Sequence, residues 1–179
     1  MTVKEMLQRG TWMRSMHEPK TAAREIAAQE KVYRYHVLTA TAQHGEAVVG
    51  AAQLTGLECQ DMTFGLKRIM EEAIEMAAVL EGVGMETVVE MMATTYEQKQ
   101  KDYNNSFGET QQLFGIVAGA VRLHDKVARM QQLLERGKAE VADERLTDTV
   151  RDLGTYAAMI LCWMEENRAA ESGCHGKEE

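Results

Sequence analysis

A single proline, Pro19, stands in a chain of 179 residues. Proline lacks a backbone N–H and locks φ, which makes it the strongest breaker of a helix. Beyond residue 19, therefore, only glycines and short polar clusters can end one. Strand signals are nearly absent, and the β-branched Thr39 and Thr41 sit inside an alanine-rich helical pattern. Apolar residues recur at helical spacing almost everywhere. The chain reads as an all-α multi-helix bundle. The spacing predicts helices over residues 2–16, 20–54 (with a bend near Gly45 and Gly50), 61–81, 84–101, 107–136 and 143–168. The tail from Glu171 is expected to fray.

Apolar residues make up 45% of the chain, enough for a packed core rather than a disordered polymer. No apolar run approaches the roughly 20 residues that span a membrane. The opening MTVKEMLQRG carries charges where a secretion signal needs an apolar stretch. A cytosolic protein is expected. Cys59, Cys162 and Cys174 are too scattered for a disulfide framework or a zinc pattern.

The net charge of −8 argues against nucleic acid polymers as partners. Yet Lys99, Lys101, Arg122, Lys126, Arg129, Arg136 and Lys138 crowd into one span. A local basic patch on an acidic protein suits a small phosphorylated ligand better than a polymer. Solvated helix faces would look the same.

Three regions are expected. Residues 1–82 form an N-terminal helical extension that packs on the bundle or makes an oligomer interface. Residues 83–170 form the ligand-binding helical domain, and 171–179 a flexible tail. The small residues between Ala40 and Ala52 allow close helix approach, inside one chain or between subunits. With thirteen methionines, they suggest more apolar surface than one copy buries, so a homo-oligomer is expected.

The segment KQKDYNNSFGE, Lys99 to Glu109, interrupts the helical pattern. Asn104 can take the left-handed conformation that closes a helix. Ser106 and Glu109 match the S-x-x-E capping box of a new helix. A tight hairpin between antiparallel helices follows. The new helix N-terminus near Phe107 offers free N–H groups and a positive dipole end, a natural place for an anion.

In VRLHDKVARM, Arg122, Asp125, Lys126 and Arg129 share one helix face, with Val117, Val121, Val127, Leu133 and Leu134 on a broad apolar arc. In the last helix, Glu144, Asp148 and Asp152 recur every four residues. Like charges at that spacing repel, so they call for neighbouring bases or a divalent metal. Mg²⁺ takes such carboxylate oxygens together with substrate phosphates. Glu71, Glu72 and Glu75 fit E-E-x-x-E, the first half of the metal motif of MazG-type all-α pyrophosphatases, without its second half. They are expected on a solvated helix face.

Together KQKDYNNSF, RLHDKVARM and DERLTDTVRDLGTYA resemble the nucleotide modification associated domain, type 1, a family common in phages and their bacterial hosts. The family pattern runs K-x-x-D-Y-G-x-S-F, then R-L-x-D-K-x-x-R, then D-E-x-x-x-D-T-x-x-D-L-x-N-Y-A. The resemblance covers residues 84–166. Asn104 replaces the family glycine, and Thr155 replaces the asparagine before the tyrosine. The resemblance implies MazG-like antiparallel helices in the C-terminal half and a nucleotide ligand. It makes Asp125, Glu144, Asp148 and Asp152 candidate Mg²⁺ ligands. Lys101, Asp102, Tyr103, Asn105, Arg122, Lys126 and Arg129 become candidate nucleotide contacts.

Three functions follow as expectations. One is Mg²⁺-dependent hydrolysis of a nucleoside triphosphate between its α and β phosphates, or a step in nucleotide modification. Another is a phage protein that sequesters a nucleotide signal in the host cytoplasm without cleaving it. The last is a structural helical oligomer.

Overall fold

The computed structural model describes residues 1–12, 24–55, 60–103, 105–136 and 145–174. Among them there are seven helices and no strand. These are α1 (Val3–Trp12), α2 (Arg24–Thr55), α3 (Gln60–Glu81), α4 (Met85–Tyr103), α5 (Ser106–Phe114), α6 (Ile116–Arg136) and α7 (Leu146–Cys174). The fold is an all-α bundle. Four helices close a ring: α3 packs on α2 and α7, and α6 packs on the same two. α1 and α4 pack on each other and on α3 and α7, and α5 lies against α6. No helix among the described residues is long and apolar enough to cross a membrane.

Helical spacing builds the core. α2 buries Leu38, Ala42 and Val49; α3 buries Leu66, Ile69, Met70, Ala73, Ile74 and Ala77. Leu123, Val127 and Met130 of α6 meet Val150, Leu153, Ala157 and Leu161 of α7 in the same cluster. Each fully buried aliphatic side chain of this kind contributes roughly 1.5–3 kcal/mol. The cluster also holds Met6 and Leu7 from α1. One core thus runs across the expected boundary near residue 82, with α2 and α3 as two of the four bundle walls.

Small residues set the closest crossings. A Cβ on Gly154 of α7 would come within 2.9 Å of both the Ala73 Cβ on α3 and the Met92 Cε on α4. A Cβ on Gly65 would meet the Gly45 Cα at 3.3 Å. The Ala/Gly stretch of α2 therefore serves a crossing inside the chain at Gly45. Tyr35 ties α2 to α6 by donating its hydroxyl to the Met130 carbonyl at 2.5 Å.

The turn chemistry differs from the expectation in three ways. The left-handed residue is Asn105, at φ 59°, ψ 29°; Asn104 lies outside the described residues. Ser106 already stands in the first turn of α5, and no side-chain hydrogen bond caps that helix. The capping box does not form, because the helix starts one residue too early for Ser106 to cap it. The expected helix 107–136 is two helices. Gly115, at φ 60°, ψ −148°, ends α5 and donates its N–H to the Gln111 carbonyl at 2.8 Å. Only glycine adopts that backbone freely, and the apolar pattern running across it hid the break. Leu113 and Phe114 beside the break are 78% and 62% exposed. At the other end, α7 continues to Cys174, past the start of the expected frayed tail.

Candidate functional site

Lysines from two helices meet at one carboxylate on the outer edge of α7. Lys99, near the end of α4, places its Nζ 2.8 Å from Asp152 Oδ1, and Lys126 of α6 places its Nζ 2.9 Å from Oδ2. Asp152 lies in the second turn of α7, where its half-buried side chain faces both neighbours. Burial pushes the Asp152 carboxyl upward, but hydrogen bonds from Lys99 and Lys126 and their charges outweigh it. The net shift is below the ordinary value.

One turn further along α7, Tyr156 shares the face of Asp152. The Lys126 ammonium lies 5.9 Å from the centroid of its ring, within cation–π range. Phe107, in the first turn of α5, packs its ring on Tyr156 with centroids 5.5 Å apart. Gln100 links the end of α4 to the turn, donating to the Tyr96 hydroxyl at 3.0 Å and to Asn105 Oδ1 at 3.5 Å. Basic, acidic and aromatic groups from α4, α5, α6 and α7 therefore converge on one corner.

No family model, curated protein or solved structure matches this chain.

Of the candidate nucleotide contacts, Lys126 belongs to this corner. Lys101 and Asp102 are exposed on the last turn of α4, and Asn105 is exposed in the turn. Arg122 is exposed on α6, and Arg129 is half-buried. The Tyr103 side chain lies outside the described residues.

Of the candidate Mg²⁺ ligands, Asp152 is held by the two lysines. Asp148 pairs with Arg151, which also reaches Glu81 at 3.3 Å. Asp125 is exposed on α6, and Glu144 lies outside the described residues. Among the described residues no group of three or more His, Cys, Asp or Glu gathers in a metal-holding arrangement. Mg²⁺ needs open carboxylate oxygens, whereas both Asp152 oxygens and Asp148 face cations. As placed, Asp148 and Asp152 are held by cations rather than open to the ion.

The second acidic group corrects an expectation. Glu71 and Glu72 are each only 5% exposed, so they do not lie on a solvated face. Arg68, one turn back on α3, pairs with both, and Arg34 of α2 pairs with Glu75. α3 is enclosed by α1, α2, α4 and α7. Residues 69–74 of α3 are all buried, so this level of the helix offers the glutamates no solvated face, and arginines neutralise them.

A shallow cleft of about 280 Å³ lies between α2 and α6, lined by Gln43, Glu46, His124, Val127 and Gln131. His124 Nδ1 sits 2.6 Å from a Glu46 oxygen at its rim. It is separate from the lysine corner.

Lys99, Phe107 and Tyr156 were not among the candidate contacts. Lys99 did stand in the basic span, and Tyr156 follows Asp152 by four residues, a spacing that puts both on one helix face. Nothing local links Lys99 to a carboxylate 53 residues away.

Proposed function

We propose that this chain binds a small phosphorylated ligand, a nucleotide, at the corner where Lys99, Lys126 and Tyr156 meet. One observation carries the reading: two ammonium groups from different helices converge within 3 Å of a single carboxylate that bears two oxygens. A phosphate group offers the same geometry of oxygens to the same donors. The Tyr156 and Phe107 rings beside it supply an apolar flank for a sugar or base. The sequence resemblance to the nucleotide modification associated domain, type 1, supports the same ligand class. Binding without cleavage is favoured over hydrolysis, because Asp148 and Asp152 are engaged by cations rather than open to Mg²⁺.

The test is calorimetric titration of the full chain with ATP, in EDTA and in Mg²⁺, alongside an assay for released pyrophosphate. Saturable binding that Lys126→Ala weakens is the expected result, with no turnover. Absence of affinity in both buffers would sink the reading. Turnover lost in Asp148→Asn would convert the protein to a hydrolase. Self-association is part of the proposal, and light scattering across micromolar concentrations checks it.

A further inference from the structure

We infer that the Asp152 carboxylate is the resident occupant of the Lys99–Lys126 anion site, and that its competition restricts the site to terminal phosphate dianions over phosphodiesters. This rests on the phosphate-binding reading above and names its ligand class.

The geometry comes first. Each lysine takes a different oxygen: Lys99 holds Oδ1 and Lys126 holds Oδ2. The carboxylate thus spans two ammonium groups, as two oxygens of one phosphate would. The lysine stems are flexible and each ammonium carries three N–H donors. Lys99 is half-exposed and Lys126 is 28% exposed, so a ligand can reach both from solvent.

Charge then decides which ligand succeeds. The two ammonium groups carry one more charge than the carboxylate they share. A phosphodiester carries one negative charge. It can only trade one singly charged anion for another, and it leaves Asp152, which is mostly buried, without its partners. Such a carboxylate is costly to strand. A phosphomonoester carries roughly −1.5 to −2 at neutral pH. Its attraction to the two lysines is about twice that of the group it competes with. Nucleoside mono-, di- and triphosphates qualify; cyclic nucleotides and nucleic acid strands do not.

The experiment measures binding of AMP, ATP, inorganic phosphate and 3′,5′-cyclic AMP to the full chain in EDTA, for wild type and Asp152→Asn. Asparagine keeps the shape and removes the charge. Wild type should prefer AMP to cyclic AMP by about tenfold or more. Asp152→Asn should bind AMP and phosphate about tenfold tighter, the gain from removing one like charge near the ligand. It should also accept cyclic AMP, since the competitor is gone. Equal wild-type affinity for AMP and cyclic AMP overturns the inference, as does an Asp152→Asn variant that binds AMP no better than wild type. In either case the phosphate-binding reading survives. If neither protein binds any of the four probes, both fall. Should Asp152→Asn lose its helical circular dichroism, the wild-type ratio of AMP to cyclic AMP decides alone.

Discussion

Arg68 and Lys126 both neutralise carboxylates, and they do so in opposite ways. Arg68 sits on the same helix as its partners, and its guanidinium serves Glu71 and Glu72 at once. Both glutamates are almost fully buried. Lys126 reaches from α6 to α7 and shares Asp152 with Lys99 of α4. That carboxylate keeps 23% of its side chain exposed. A planar, weakly hydrated fork suits permanent burial, whereas a compact ammonium on a flexible stem can exchange one anion for another. The α3 cluster is built as part of the core, and under the proposed function the α7 corner is where partners change.

The largest effect that could break this contrast is on stability. Arg68→Met strips the guanidinium from two buried carboxylates, and removing one partner of a buried pair costs about 3 kcal/mol. Urea denaturation measures it. A loss below about 1 kcal/mol, the range of exposed pairs, would mean the α3 acids are not held as buried charges.

Arg68→Lys keeps the charge and loses the fork, so roughly half of that loss should remain. Full rescue by lysine would remove the geometric half of the contrast. Lys126→Ala should cost less than about 1 kcal/mol of stability, because its pair is partly exposed and Asp152 keeps Lys99. If Lys126→Ala destabilised the fold as much as Arg68→Met, the two regions would be one kind of structure.

The smallest effect is in acid. The Asp152 carboxyl is held below its ordinary value, so the unfolded chain takes up that proton more readily than the folded one. Its stabilising contribution is complete above about pH 4 and is lost as pH falls through the lowered value. The stability difference between wild type and Asp152→Asn should be flat from about pH 5 to 8 and shrink below about pH 4. A difference that grows on acidification would contradict the lysine pairing.

The helices were legible because each is written in local spacing. Residues 84–101 were expected and Met85–Tyr103 is found; 61–81 were expected and Gln60–Glu81 is found. Gly115 was not legible as a break. Leu113, Phe114, Ile116 and Val117 carry the apolar pattern across it, and a glycine inside a helical pattern is often tolerated. The hairpin after α4 was legible as a turn, but which asparagine turns left-handed was not. Either Asn104 or Asn105 has the side chain for it.

Burial of the α3 acids was beyond the sequence. Glu71, Glu72 and Glu75 look like any solvated stripe until α1, α2, α4 and α7 surround them. Arg34, which answers Glu75, is 41 residues away. The Asp152 site was half legible. Its acid, Lys126 and the basic span are in the sequence, and the i,i+4 repeat called for either bases or a metal. The described contacts are with bases.

The sequence by itself determined that this protein is helical, acidic and locally basic between residues 99 and 138, because helix formation and charge are properties of neighbours along the chain. Only the tertiary structure decided which charges meet. Lys99 and Asp152 are 53 residues apart, and their 2.8 Å contact exists because α4, α6 and α7 pack side by side around a common core.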